Sequence, residues 1–280
     1  MSHTSDAHAW FTESRSDRTN AKADWYVWCD ARQDGAPPNN WQAVFGGAAW
    51  TWDARRQQYY MHNFLSEQPQ LNLHNRDVQD ALLAASRFWL ERGVDGFRLD
   101  AINFSMFDPE FRDNPAWEIG DRTITRPFDL QHHVNNQSHP DIPLYLERVR
   151  ALTDEFGAVF TVAEVAGPDP LPEMRAFTVG ESRLNSAYNF DFLYASSLTP
   201  GRVKRAQSNW TGPMEDGWPS WAFSNHDAPR CVSRWYDGAD RNRFAKLTNA
   251  LLLCLRGNPI LYQGEELGLP QAEVPFEKLQ

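Results

Sequence analysis

Three times along this chain, apolar residues recur at helical spacing, stop at a glycine, and give way to a short apolar run that ends in an acid. In 77–92 the stripe is Val78, Ala81, Leu82, Ala85, Phe88 and Trp89, the spacing of one helix face. Gly93 follows as a C-cap, and 94–100 reads as a strand ending at Asp100. In 143–156 the stripe is Leu144, Leu146, Val149, Leu152 and Phe156, with Gly157 as the stop and a strand over 158–164 ending at Glu164. The third copy is a helix over 240–256, Gly257, and a strand from Asn258 toward Glu265. Two more strands are expected over 187–192 and 221–227. Helix, glycine, strand and acid in repetition predict a parallel α/β protein.

The first 75 residues follow a different pattern. They are rich in Trp, Tyr, Asn, Gly and Pro, with turn signals at 35–40 and at Gly46-Gly47 and no sustained helical period. Strands are expected only over 25–28 and 58–62. The segment reads as an irregular, loop-rich lobe. Parallel strands with functional groups at their C-terminal ends suit a (β/α)8 barrel or a doubly wound sheet. No Gly-x-Gly-x-x-Gly and no phosphate-binding Gly-x-x-x-x-Gly-Lys-Ser/Thr is present, so a nucleotide site is unsupported.

Charge narrows the partners. The 280 residues carry 27 Lys+Arg against 37 Asp+Glu, a net charge of −10, which disfavours nucleic acid and anionic membranes. The longest strongly apolar stretch, 250–255, is far short of a membrane span, and the start of the chain is polar, unlike a signal peptide. The three cysteines are odd in number and widely spaced, which excludes a disulfide framework and a Cys-rich zinc site and predicts a cytoplasmic setting. Twelve Trp, 8 Tyr and 17 Phe are enough to keep sugar-stacking surfaces in view.

The strand-end acids are the candidate chemistry. Alternation along a strand points Arg98 and Asp100 the same way, so the guanidinium would keep that carboxylate ionised and oriented, as a nucleophile requires. A buried salt bridge is the competing structural reading. Glu164 follows the apolar run 159–163, a setting that raises a carboxyl pKa and suits a proton donor. Asn225-His226-Asp227 ends another strand, and three adjacent polar groups are costly to bury unless used. No Gly-x-Ser-x-Gly elbow is present, and His132-His133 would point to opposite sides of a regular element, so a serine hydrolase and a metal centre there are both disfavoured.

Together these segments resemble the α-amylase superfamily of glycoside hydrolases (glycoside hydrolase family 13), and within it the bacterial α-glucosidases. Gly96-Phe97-Arg98-Leu99-Asp100-Ala101-Ile102-Asn103 resembles the family's nucleophile segment. Phe160-Thr161-Val162-Ala163-Glu164-Val165 resembles its acid/base segment, and Phe223-Ser224-Asn225-His226-Asp227 its third-carboxylate segment. Ser2-His3-Thr4-Ser5-Asp6 is similar to the tail of its first conserved segment. The separations of 64 residues from Asp100 to Glu164 and 63 from Glu164 to Asp227 agree as well. Gln68-Pro69-Gln70-Leu71-Asn72 is similar to a segment, typically Gln-Pro-Asp-Leu-Asn, that marks oligosaccharide-acting members; Gln70 stands where the Asp is usual.

The resemblance implies a partial (β/α)8 TIM barrel, strands four to eight, with residues 1–75 as the loop-rich lobe inserted after strand three and 76–280 as the C-terminal part of the barrel. It implies Asp100 as nucleophile, Glu164 as general acid/base and Asp227 as the transition-state carboxylate. His3, Phe45, Phe64, Arg98 and His226 would line the sugar subsite. The expected activity is a retaining α-glucosidase, α-1,4 favoured, on terminal bonds of short oligosaccharides, with transglucosylation as a competing fate. No cofactor or metal is expected. The alternatives are a sucrose- or maltose-processing transglycosylase or isomerase, a non-catalytic scaffold, or an inactive fragment. The family pattern extends beyond both ends of the sequence, which predicts open barrel edges and self-association through them.

Overall fold

In this computed structural model, residues 2–118, 120, 124–167, 170–212 and 216–275 are described. The chain divides into two compact units, Met1–Val159 and Phe160–Gln280.

The first unit begins with a helix that the sequence pattern did not disclose, α1 (Ala9–Ser16), capped by the His8 ring accepting from the Trp10 N–H. At eight residues it is too short for a period to stand out, and it is held by burying Phe11 and Ser14. Three short strands follow, β1 (Trp28–Cys29), β2 (Trp50–Asp53) and β3 (Gln58–Met61), in an antiparallel sheet of order β1-β3-β2. β3 lies where the sequence put it. The strand expected over 25–28 is replaced by the two-residue β1 and an isolated bridge from Tyr26 to Leu71. β2 was unannounced because the Gly46-Gly47 turn masks its start. Val27, Trp41, Ala49, Trp50, Met61 and Phe107 form the buried cluster behind this sheet, with Trp41 and Trp50 stacked at 5.8 Å between centroids.

From residue 75 the regular pattern takes over. Helix α2 (Arg76–Leu90) starts where the Asn75 side chain accepts the Asp77 N–H, an N-cap. It buries Val78, Leu82 and Leu90 but leaves Phe88 and Trp89 exposed. The Arg92 guanidinium covers the Phe88 ring at 3.4 Å. After Gly93 the strand β4 (Gly96–Leu99) runs to Asp100. Helix α3 (Ile142–Asp154) opens with Pro143 in its first turn and buries Ile142, Tyr145, Leu146, Val149 and Leu152, leaving Leu144 exposed. It lies against α2, with Arg87 paired to Glu155 at 2.7 Å and Arg148 to Asp80.

The second unit is a run of parallel strands joined through helices: β5 (Phe160–Glu164), α4 (Pro170–Thr178), β6 (Ser186–Tyr188), α5 (Pro200–Ser208), β7 (Ser220–Ala222), α6 (Cys231–Trp235), α7 (Arg241–Cys254) and β8 (Asn258–Ile260). β5 pairs with β6 in the register Val162 to Ser186 and Glu164 to Tyr188. β7 pairs with β8 in the register Ser220 to Asn258 and Ala222 to Ile260. A parallel bridge from Ala187 to Pro219 and a 2.6 Å hydrogen bond between the Ser186 and Ser220 hydroxyls link β6 to β7. Gly257, between α7 and β8, has φ +134, and a Cβ there would meet the Pro219 carbonyl oxygen at 2.6 Å, so only glycine fits the turn. Among the described residues no helix is long and apolar enough to cross a membrane, and all three cysteines are free.

Candidate active site

The candidate residues fall in both units: His3, Phe45, Phe64, Arg98 and Asp100 in the first, Glu164, His226 and Asp227 in the second.

At the tip of β4, Arg98 Nη1 lies 2.6 Å from Asp100 Oδ1. The alternation argument therefore holds, and the pair is a charge-assisted contact rather than a buried bridge, since 61% of the Asp100 side chain is accessible. Solvent screening makes such a pair worth little to stability. Its consequence is to orient the carboxylate. The next residue, Ala101, is left-handed at φ 43 and ψ 43, an uncommon conformation for a residue with a Cβ. It turns the chain sharply into the 3-10 turn Ile102–Phe104.

His3 stands close enough for the Asp100 charge to act on it. Burial lowers the His3 imidazole below its usual range, and Asp100 pulls it the other way. Its tautomer follows from its neighbours. The Gln68 Oε1 accepts the Leu65 N–H, so Gln68 Nε2 is the donor to His3 Nε2 at 3.0 Å. His3 Nδ1 then carries the proton, toward the Ser2 hydroxyl at 3.2 Å. A neutral imidazole is thereby fixed in one orientation. Phe64 packs against His3 at 5.4 Å and against Phe45 at 5.9 Å between ring centroids. Phe45 is 66% exposed, so the two phenyl rings and the imidazole form a partly open aromatic wall.

Behind the wall runs a buried chain of amides that the sequence did not announce. The Asn135 N–H donates to Asn114 Oδ1, and Asn114 Nδ2 donates to Asn136 Oδ1 at 2.9 Å. Asn136 Nδ2 donates to Asn63 Oδ1, Asn63 Nδ2 to Gln70 Oε1, and Gln70 Nε2 to the Phe104 carbonyl at 2.9 Å. Each amide accepts at one end and donates at the other, so every orientation is determined. This accounts for Gln70 where the family segment usually has Asp. The position is 1% exposed, and an amide can both accept from Asn63 and donate to Phe104, whereas a carboxylate only accepts. The clue available in the sequence was the polar composition of Gln68-Pro69-Gln70.

In the second unit Glu164 ends β5 and is 6% exposed. Its burial fits the apolar frame expected of an acid/base residue. Asn225-His226-Asp227 follows β7. The Asn225 Oδ1 accepts the Asp227 N–H at 3.0 Å and the Ala228 N–H at 2.7 Å, a side-chain turn that holds the tip open. His226 Nε2 and Asp227 Oδ2 are 3.4 Å apart on the exposed side. A cleft of about 490 Å³ opens here, lined by Asn225, His226, Asp227, Arg230 and Tyr262 among others. The Arg230 guanidinium lies over the Tyr262 ring at 4.6 Å.

Underneath the tip sits Glu265, 3% exposed; the strand expected to run toward it stops at Ile260, and Glu265 lies in the turn that follows. It accepts the Ser224 hydroxyl at 3.3 Å, the Cys231 thiol at 3.1 Å and the Tyr262 N–H at 3.1 Å. Burial and the adjacent Glu265 carboxylate push the Cys231 thiol up to about 12. Glu265 therefore ties the ends of β7 and β8 together instead of facing the cleft.

A profile of the alpha-amylase catalytic domain matches residues 1–279. The chain is 51% identical to a protein of Rhizobium meliloti (strain 1021) named "Probable alpha-glucosidase", over 100% of the chain and 52% of that protein. It is 33% identical to the oligo-1,6-glucosidase of Heyndrickxia coagulans, over 99% of the chain and 51% of that protein. The crystal structure of the alpha-glucosyl transfer enzyme XgtA superposes with a TM-score of 0.94 at 49% identity, covering 100% of the chain and 53% of that structure. The chain thus spans about half the length of the relatives it matches, and its fold is part of a (β/α)8 barrel. With the match running over 1–279 and the strand-end acids in the expected order, this chain belongs to the alpha-amylase catalytic-domain family.

Proposed function

We propose that the protein is a retaining α-glucosidase acting on terminal α-glucosidic bonds of short oligosaccharides. Asp100 is the nucleophile, Glu164 the general acid/base, and Asp227 the carboxylate that stabilises the cationic transition state. Glu164 protonates the departing glycosidic oxygen while Asp100 attacks the anomeric carbon. Water, deprotonated by Glu164, then releases glucose with its original configuration. Arg98 orients Asp100, and His3, Phe45, Phe64 and His226 contact the sugar. Residues 1–75 act as the lobe that shapes the pocket mouth, and 76–280 as the C-terminal part of the barrel. No metal or cofactor takes part in the bond exchange.

The observation that carries this reading is the Arg98–Asp100 pair at the tip of β4, in a chain 51% identical to a protein named an alpha-glucosidase. The small residue after the nucleophile, Ala101, supports maltose over isomaltose. A second reading, glucosyl transfer to another sugar, is favoured by the likeness to the alpha-glucosyl transfer enzyme. One experiment tests both. A chromogenic α-glucoside is supplied with and without maltose as acceptor, and NMR follows the first-formed products. Early α-glucose supports hydrolysis with retention, and an acceptor glucoside in excess over glucose supports transfer. Early β-glucose overturns the nucleophile role of Asp100.

A further inference from the structure

The loop before α2 and the turn before α3 bring together two imidazoles and a carboxylate that the glycosidase reading does not use. His74 immediately precedes the Asn75 cap, and His139 and Asp141 precede Ile142. One donor atom from each of His74, His139 and Asp141 lies within 4.8 Å of the others. The two rings meet edge to face, with centroids 4.9 Å apart and planes at 85°.

Three details set this group apart from a chance surface cluster. First, His74 Nε2 is 2.7 Å from the Phe107 carbonyl oxygen. It must donate there, which leaves Nδ1 with its lone pair bare. A second ring nitrogen donating to a backbone carbonyl is the arrangement that orients metal-binding histidines. Second, the Asp141 N–H donates to His139 Nδ1 at 3.2 Å, so that nitrogen is unprotonated, and a metal ion bound there takes the place of this one long hydrogen bond. Third, Asp141 is the N-cap of α3, where a carboxylate ordinarily accepts from the first-turn amides, yet its side chain makes no capping bond. Instead Oδ2 lies 3.8 Å from His139 Nδ1, too long for a hydrogen bond.

We propose that His74, His139 and Asp141 form a binding site for a zinc-class divalent metal ion, which clips the start of α2 to the start of α3. Two imidazole nitrogens and one carboxylate are the donor set of borderline ions such as zinc. Calcium and magnesium call for all-oxygen shells. Donors about 2.0–2.1 Å from a tetrahedral zinc stand roughly 3.3–3.4 Å apart, so binding draws the three donors, now within 4.8 Å of one another, closer together. That side chain is exposed while both histidines are half-buried, so one side of the site is open to water as a further ligand. The site is structural: it joins elements 65 residues apart in the sequence and lies outside the acids assigned to catalysis.

The test is calorimetric titration of zinc sulfate into the full chain, tag-free and stripped with EDTA. It is run beside the double variant His74→Ala/His139→Ala and beside Asp141→Asn. One zinc per chain is expected in the parent, none of that affinity in the double variant, and at least about tenfold weaker binding in Asp141→Asn. Asp141 is exposed, so this substitution tests the site without endangering the fold. Cobalt(II) bound to the parent should give tetrahedral visible bands with no thiolate charge-transfer band. The proposal is overturned by parent-like zinc binding in either variant, by no zinc binding to the parent, or by a thiolate band that moves the ion to a cysteine.

Discussion

Asp100 and Glu265 each close a copy of the same sequence pattern of helix, glycine, strand and acid, and the structure uses them in opposite ways. Asp100 has 61% of its side chain accessible, with the Arg98 guanidinium at 2.6 Å. Glu265 is 3% exposed and accepts from a hydroxyl, a thiol and a backbone N–H. An accessible carboxylate beside a guanidinium is oriented and can reach a substrate. A carboxylate that is buried among three donors has its lone pairs committed, and it serves to hold two strand ends. The backbone differs in the same sense. Ala101 takes a left-handed turn directly after Asp100, and conformations of this kind cluster at functional sites. At the other tip the glycine Gly264 takes the positive φ, at no comparable cost. A place at the end of such a repeat therefore does not by itself tell Asp100 from Glu265; the groups that each carboxylate meets do.

The largest effect expected from this contrast is on turnover. Asp100→Asn should lower hydrolysis of a chromogenic α-glucoside by about a thousand-fold or more, because no covalent intermediate forms. Circular dichroism should be unchanged, since the Arg98 pair adds little to stability. A variant that keeps a tenth of the parent rate would end the distinction drawn between the two acids.

Glu265→Ala probes the opposite half. It strands the Tyr262 N–H, the Ser224 hydroxyl and the Cys231 thiol in the interior, each at a cost of order 1–3 kcal/mol. Urea unfolding should show a loss of about 3 kcal/mol, with Glu265→Gln losing less because the amide still accepts. Full stability with abolished turnover would make Glu265 a member of the site.

Acid should weaken the first unit. Burial lowers both His3 and His62 from the usual 6.5, and Thr51 and Phe64 engage the two His62 nitrogens in its neutral form. The folded state therefore resists protons that the unfolded chain accepts. Stability from these groups is complete above about pH 6.5 and is lost as pH falls through their lower folded values. The urea midpoint should be lower at pH 5.5 than at pH 7.5, and the difference should shrink in His62→Gln. An unchanged difference in that variant would remove His62 from the account.

The smallest effect is at Ala101. Replacement by glycine relieves the left-handed strain but adds freedom to the unfolded chain. Ala101→Gly should thus be neutral or stabilising by up to about 1 kcal/mol, where an ordinary loop Ala→Gly change destabilises. A loss of more than 1 kcal/mol in thermal unfolding would mean that the Ala101 methyl is packed and that strain is not what singles out this turn.

The regular elements were legible because their cause is local. α2, α3 and α7 are each written as an apolar stretch with a glycine after it, and β5 as an apolar run between turn signals. The Arg98–Asp100 pair was legible for the same reason, since strand alternation alone puts the two side chains on one face. The exposure of Phe88 and Trp89 was not, because which edge of an apolar stripe meets a partner depends on where α3 lies. Nor was the helix α1, whose eight residues gain their stability from Phe11 packing rather than from periodicity. The amide chain from Asn114 to Gln70, the tautomer of His3 and the burial of Glu265 all depend on groups tens of residues apart in sequence. The sequence by itself determined the helix–glycine–strand repeats and the acids that close them, because periodicity and alternation act over a few residues. Only the tertiary structure decided which acid is accessible and which is enclosed, because solvent exposure and hydrogen-bond partners are set by segments that meet only when the chain is folded.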